Sequence, residues 1–235
     1  INAAELAETL SGEGPFTVFA PTDDAFQDLL NTNSDWNTLN DISLDLLTTV
    51  LLNHVIIGTE VPSSAITADG VYANVGATGP NNTILSMYAR LNGTSVEING
   101  GFSSTAGANV TTADVTADNG VIHVINKVLL PPTVVDMAIA NPEFGSLVAS
   151  LTTSGQPDFV TILSTSNGTS PAPFTVFAPT DDAFAALPGE VHLVPPAPVE
   201  AIAADGRATS DMARVLDAGD SGIYLRGLGL IAPDK

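Results

Sequence analysis

The chain has 235 residues, 44% of them hydrophobic, and carries 26 acidic side chains against 6 basic ones for a net charge of −20. That length exceeds one domain of the usual size, and the apolar content suffices for real cores. The charge excludes nucleic acid and anionic membrane surfaces as partners, since both need Lys and Arg, and the absence of cysteine excludes a disulfide framework and thiol chemistry.

Ile1-Asn2-Ala3-Ala4-Glu5 has no basic start followed by an apolar core, so no signal peptide is visible at the beginning of the chain. No run of ~18 or more apolar residues occurs, which predicts no membrane span. Residues 3–10 read as the tail of a helix stopped near Ser11-Gly12. Next, Phe16-Thr17-Val18-Phe19-Ala20 is a β-branched and aromatic run suited to a strand buried on at least one face. Pro21 ends it, having no N–H to give to a ladder. Thr22 caps a helix running to about Leu30, with Asp23 and Asp24 in the first turn, where the helix dipole favours carboxylates.

A polar loop over 31–40 holds the only tryptophan, Trp36. Ser43 then caps a helix over 44–52 with Leu44, Leu47, Val50 and Leu51 on one face, and a strand over 54–57 follows. Strand-like runs come at 70–75, 83–90, 94–98, 108–115 and 121–130, punctuated by Gly79-Pro80-Asn81, Asn92-Gly93 and Asn99-Gly100. A β-meander behind helices is an α+β domain.

Pro131-Pro132 makes a short stiff joint. Beyond it, helical stretches are predicted at 134–140, 144–151 and 158–163, and then the eleven residues from Phe16 to Phe26 recur, without change, from Phe174 to Phe184. The organisation read from this is a first unit over 1–132, the N-terminal part of a second over 133–190, and a divergent tail over 191–235 that holds four of the six basic residues. Helical stretches precede the repeated strand in the second unit, whereas the first has only residues 1–15 there, so the first is expected to lack an opening helix of roughly twenty to thirty residues.

The repeated stretch also carries a resemblance. Phe16, Pro21, Thr22 and Asp23, with their copies Phe174, Pro179, Thr180 and Asp181, resemble the first signature of the fasciclin domain, and 119–131, with His123 at its centre, resembles the second. Leu51-Leu52-Asn53-His54-Val55-Ile56 stands at the family's middle position. The resemblance implies a β-wedge or sandwich flanked by short helices, one unit nearly complete and a second partial. Pro157-Asp158-Phe159-Val160 and Leu85-Ser86-Met87-Tyr88 are similar to bacterial members.

Chemistry-bearing constellations are few. Asp23-Asp24 and Asp181-Asp182 are adjacent on a helix and point about 100° apart, which suits capping rather than a facing acid/base pair. His54, His123 and His192 have no metal-ligand spacing, and His54 and His123 sit in apolar strands, where core packing and an acid/base or ligand role are the two readings. No phosphate loop and no nucleophile elbow occurs, so no enzyme is read here. The carboxylates read as a solvated acidic face, with weak surface calcium as the other reading and no dedicated cofactor. Asn81, Asn92, Asn109 and Asn167 head N-x-[ST] sequons, available for glycosylation where the host performs it.

What the resemblance implies for function is extracellular or cell-surface adhesion through protein or glycan partners. The family's Tyr-His pair falls on Asn53-His54, flanked by Val55 and Ile56, and its Asp-Ile pair on Asp114-Val115; Asn53 departs from the tyrosine and Val115 from the isoleucine. Core packing is the other reading of these apolar residues. Two functions from different classes follow: a tandem interaction module of weak multivalent contacts, or a structural subunit that self-associates head to tail into a filament or matrix.

Overall fold

The computed structural model describes residues 6–187, apart from Ser154 and Gln156. The tail over 191–235 with His192, and residues 3–5 of the helix expected over 3–10, lie outside the described residues. Seven strands, β1 (Phe16–Pro21), β2 (Val55–Ile57), β3 (Val71–Thr78), β4 (Ile84–Asn92), β5 (Ser95–Ile98), β6 (Ala108–Ala117) and β7 (Gly120–Ile125), follow the order β2-β1-β7-β6-β5-β4-β3. β1 lies antiparallel to β2, with Phe16 opposite Ile57, and parallel to β7, with Phe16 opposite Gly120; every other pairing is antiparallel. At the far edge β3 curls back towards β2. A Cβ built on Gly76 would stand 3.2 Å from a methyl of Ile57, so the sheet nearly closes on itself.

Short helices flank the sheet: α1 (Ala7–Leu10), α2 (Asp23–Asn31) and α3 (Leu44–Leu52), then α4 (Val134–Ala140), α5 (Gly145–Leu151), α6 (Phe159–Leu163) and α7 (Asp181–Ala185). Their starts are written locally. The hydroxyls of Thr22, Ser43, Thr133 and Thr180 each accept the N–H three residues on, satisfying a donor that the helix leaves over, and each such cap is worth about 1 kcal/mol.

One core fills the sheet's interior, with Phe19, Ile56, Met87, Ile98, Ile125 and Leu129 among its buried members. A second lies between α2 and α3, where Ala25, Leu29, Leu47 and Val50 meet Val128, with Trp36 and Leu130 packed against them. The last strand is therefore shorter than the run over 121–130 suggests: the ladder stops at Ile125, and the chain leaves the sheet as a strap whose apolar side chains close the helical core. Past Pro131-Pro132, α4 docks on the connection between β5 and β6 through the buried Asp136, which accepts from Ser104 and Thr105 at 3.0 and 2.9 Å and from both the N–H and hydroxyl of Thr133. Burial would raise the Asp136 carboxyl, but these donors outweigh it and hold it below the usual carboxylate range.

The repeat behaves differently in its two places. Thr180 caps α7 as Thr22 caps α2, yet residues 174–179 are not a strand. Phe19 is 1% exposed and Phe177, its copy, is 90% exposed. The expected second strand is thus corrected, for a physical reason: a cap needs only its own turn, whereas a strand needs a neighbour, and no described residue pairs with 174–179 as β2 and β7 pair with β1.

Identical substitutions in the two copies should separate cleanly. Phe19→Asp is expected to cost about 3 kcal/mol or more, through a lost aromatic and a buried charge, while Phe177→Asp stays within about 0.5 kcal/mol of the parent in urea unfolding. Equal losses would show that the second copy is packed as the first is.

Candidate interaction site

The surface with most built-in order is the loop that follows β2, and three elements fix it. Thr17 of β1, fully buried, donates its hydroxyl to the Thr59 carbonyl at 2.8 Å and accepts the Val61 N–H at 2.9 Å. His123 of β7 packs against Phe19 with ring centroids 5.4 Å apart, and its Nε2 meets the Val61 carbonyl at 2.9 Å. Its Nδ1 accepts the Asp114 N–H at 3.2 Å, so both contacts are satisfied with the proton on Nε2.

Asp114 occupies a bulge. The register of β6 against β7 shifts between Thr112 and Val115, and Asp114 has φ of 58°, a left-handed value that aspartate tolerates better than most residues. The bulge turns its carboxylate towards the loop, where one oxygen accepts the Ser63 N–H at 2.8 Å and the other accepts the Ser63 hydroxyl. The hydroxyl first, and then the N–H, hold the Asp114 carboxyl below its ordinary value. The loop from Gly58 to Ala65 is pinned from beneath by threonine and histidine and from the side by aspartate. Glu60, Asp114 and Val115 remain exposed around it.

Four of the six residues of the sequence-derived adhesion set lie elsewhere. Asn53, His54, Val55 and Ile56 are 0%, 2%, 4% and 5% exposed, so these four form no surface, and the packing reading describes them. Asn53 Nδ2 donates to the carbonyls of Leu129 and Leu130, each at 3.1 Å. His54 lies between the Val50 carbonyl, 2.6 Å from Nδ1, and the Leu129 N–H, which donates to Nε2 at 2.8 Å. A run of branched side chains at the end of a helix, with two polar groups that find backbone partners, is buried because the strap crosses over it. Asp114 and Val115 are the members that reach solvent, and nothing in the sequence linked them to Ser63, 51 residues away.

The sequons separate by exposure. Asn81 stands on an exposed turn with φ of 55°, Asn92 is exposed with Nδ2 on Glu97, and Asn167 lies in an exposed turn. Asn109 is half-buried, and its Nδ2 donates to the Ser95 hydroxyl. Among the described residues no group of three or more His, Asp or Glu is placed to hold a metal ion, and no helix is long and apolar enough to cross a membrane.

Comparison with known proteins gives this geometry its context: residues 1–131 match the fasciclin domain. The chain belongs to the fasciclin domain family. It is 36% identical over 132 residues to the protein sll1483 of Synechocystis, an alignment covering 56% of this chain and 64% of that one. To human periostin it is 27% identical over 195 residues, or 80% of this chain and 20% of periostin. The matches thus span less than two thirds of either relative. Among solved structures, a FAS1 domain pair from the insect cell adhesion molecule Fasciclin I aligns with a TM-score of 0.44 at 22% identity, covering 62% of this chain and 48% of the other.

Loss of the aspartate clamp should loosen the loop of this fasciclin domain without unfolding it. Asp114→Ala is expected to cost about 1–2 kcal/mol, two hydrogen bonds to an exposed carboxylate, and to hasten proteolytic cleavage between Gly58 and Ala65 several-fold. Unchanged cleavage would mean that Thr17 and His123 hold the loop unaided.

Proposed function

We propose that the chain is an extracellular or cell-surface adhesion module that binds a protein or glycan through the loop over 58–65 and the adjoining Asp114 and Val115. Fasciclin domains occur in adhesion proteins, and the family reading carries that class of function with it. The observation that carries the choice of surface is the Asp114–Ser63 clamp. It fixes a loop in advance of any partner, which lowers the ordering cost of binding, and leaves Val115, 43% exposed, beside it. Such a contact is small and weak, and residues 133–190, read as the opening part of a second unit, would add effective concentration in a tandem array. The acidic charge suits polar or cationic partners and disfavours phosphate-rich ones.

A second reading, self-association into a surface filament or matrix, draws on one observation. Phe177 is 90% exposed in a stretch whose identical copy is a paired strand. An apolar, strand-forming stretch without a described partner is a feature of assembly surfaces.

The two readings part under one set of measurements: sedimentation of the full chain, and binding of the full chain to immobilised matrix proteins and glycans. The module reading expects a monomer whose binding to at least one ligand falls tenfold or more with Val115→Arg and is unchanged by Leu44→Arg, a substitution on an exposed face of α3. Assembly that grows with concentration and is abolished by Phe177→Asp would give the filament reading the lead. Binding that is indifferent to Val115→Arg would remove the loop from the proposal.

A further inference from the structure

The His54 ring is placed as a latch. The chain that leaves β7 at Ile125 runs through Val128, Leu129 and Leu130 to Pro131-Pro132 and then into α4, so this strap is the connection between the sheet and everything after residue 132. Polar side chains grip it at two adjoining points. Asn53 takes the carbonyls of Leu129 and Leu130, and His54 Nε2 takes the Leu129 N–H. Because Nδ1 faces the Val50 carbonyl at 2.6 Å, its proton is committed there, and Nε2 can accept only while it carries none.

We propose that His54 is an acid-sensitive latch: a proton on Nε2 sets an N–H against the Leu129 N–H and releases the strap from α3. The two backbone groups flanking the ring, a carbonyl on one side and an N–H on the other, accommodate one tautomer and no imidazolium. Asn53 lacks a titrating group and holds the strap by its carbonyls alone. The charged groups on the surrounding elements are the exposed Asp45 on α3, the exposed Asp23, Asp24 and Asp28 on α2, and Lys127 ahead of the strap; β1 and β2 carry none. None of these acts on the ring. Burial does, opposed by the Val50 carbonyl, and together they lower the His54 pKa from 6.5 to about 4.

The sign follows from that depression. With the latch closed the ring resists protonation down to about pH 4, while with the latch open it takes a proton near pH 6.5. Closure is therefore fully supported above pH 6.5 and loses support as the pH falls towards 4, where the balance between open and closed has moved by two orders of magnitude. The molecule carries its own reporter, since Trp36 packs in the cluster that Val128 and Leu130 help to close and is the only tryptophan of the chain.

Amide hydrogen exchange of the full chain between pH 7 and pH 4.5, corrected for intrinsic rates, tests the latch. Protection of the Leu129 amide should fall roughly 50-fold, tracking a shift in Trp36 emission, while the Ile98 amide in β5 keeps its protection. In His54→Gln, which accepts a hydrogen bond but does not titrate, the pH-dependence should vanish. Should that variant fail to fold, NMR titration of the wild-type ring decides: a midpoint near that of the Leu129 change supports the latch. Uniform loss across the sheet, no loss at Leu129, or the same loss in His54→Gln would each overturn it.

Discussion

The parallel ladder between β1 and β7, from Phe16 opposite Gly120 to Pro21 opposite Ile125, joins two stretches that no local contact could hold together. It succeeds because the backbones come unusually close at its entrance. A Cβ on Gly14 would stand 2.0 Å from the Asn119 carbonyl oxygen, and one on Gly120 would stand 2.1 Å from that of Phe16, so side chains are excluded at both. The Phe16 N–H reaches the Asn119 carbonyl at 2.9 Å, and the Asn119 amide ties down the end of α1 through Leu10 and Gly12. With β1 held, β2 pairs on its other edge, Phe19 enters the core, and Thr17 and His123 reach the loop from below.

The interior is consequently less oily than its strands suggest. Thr17, Asn53, His54, Asn99, His123 and Asp136 are all buried, and each has a backbone or hydroxyl partner. Partnered groups of this kind add little net stability but penalise any arrangement that leaves them unpaired, and so they select one packing. This gives the domain two sorts of polar group: buried ones that define the frame, and Asp114 with its neighbours, which present it.

Helix starts were legible in the sequence because capping is local: Thr22 and Ser43 cap where the sequence places them, and Thr180 caps as the copy of Thr22. Strands were legible as stretches rather than as pairings. The pleated run Phe16 to Ala20 can be read from five residues, but its parallel partner lies about a hundred residues away, and the unpaired copy at 174–179 shows that the run alone does not decide the outcome. The candidate site was legible in part. Asp114 and Val115 were found through the family resemblance, and the burial of Asn53 to Ile56 agrees with the core-packing reading of that apolar run, whereas the strap that covers it was invisible to any local pattern.

The position of β1 also sets an order of events on the ribosome. Its edge for β2 can be filled once Ile57 has emerged, but the parallel edge waits for Gly120 to Ile125. At elongation rates of about 5–20 residues per second that interval is on the order of 3–14 s, during which an apolar strand has one ladder and an open flank. A nascent chain with its first strand half-paired for seconds is a natural client for a holding chaperone, and crowding of such chains on one polysome favours pairing between neighbours. Slow synonymous codons ahead of residue 120 would lengthen that exposure without altering a single side chain.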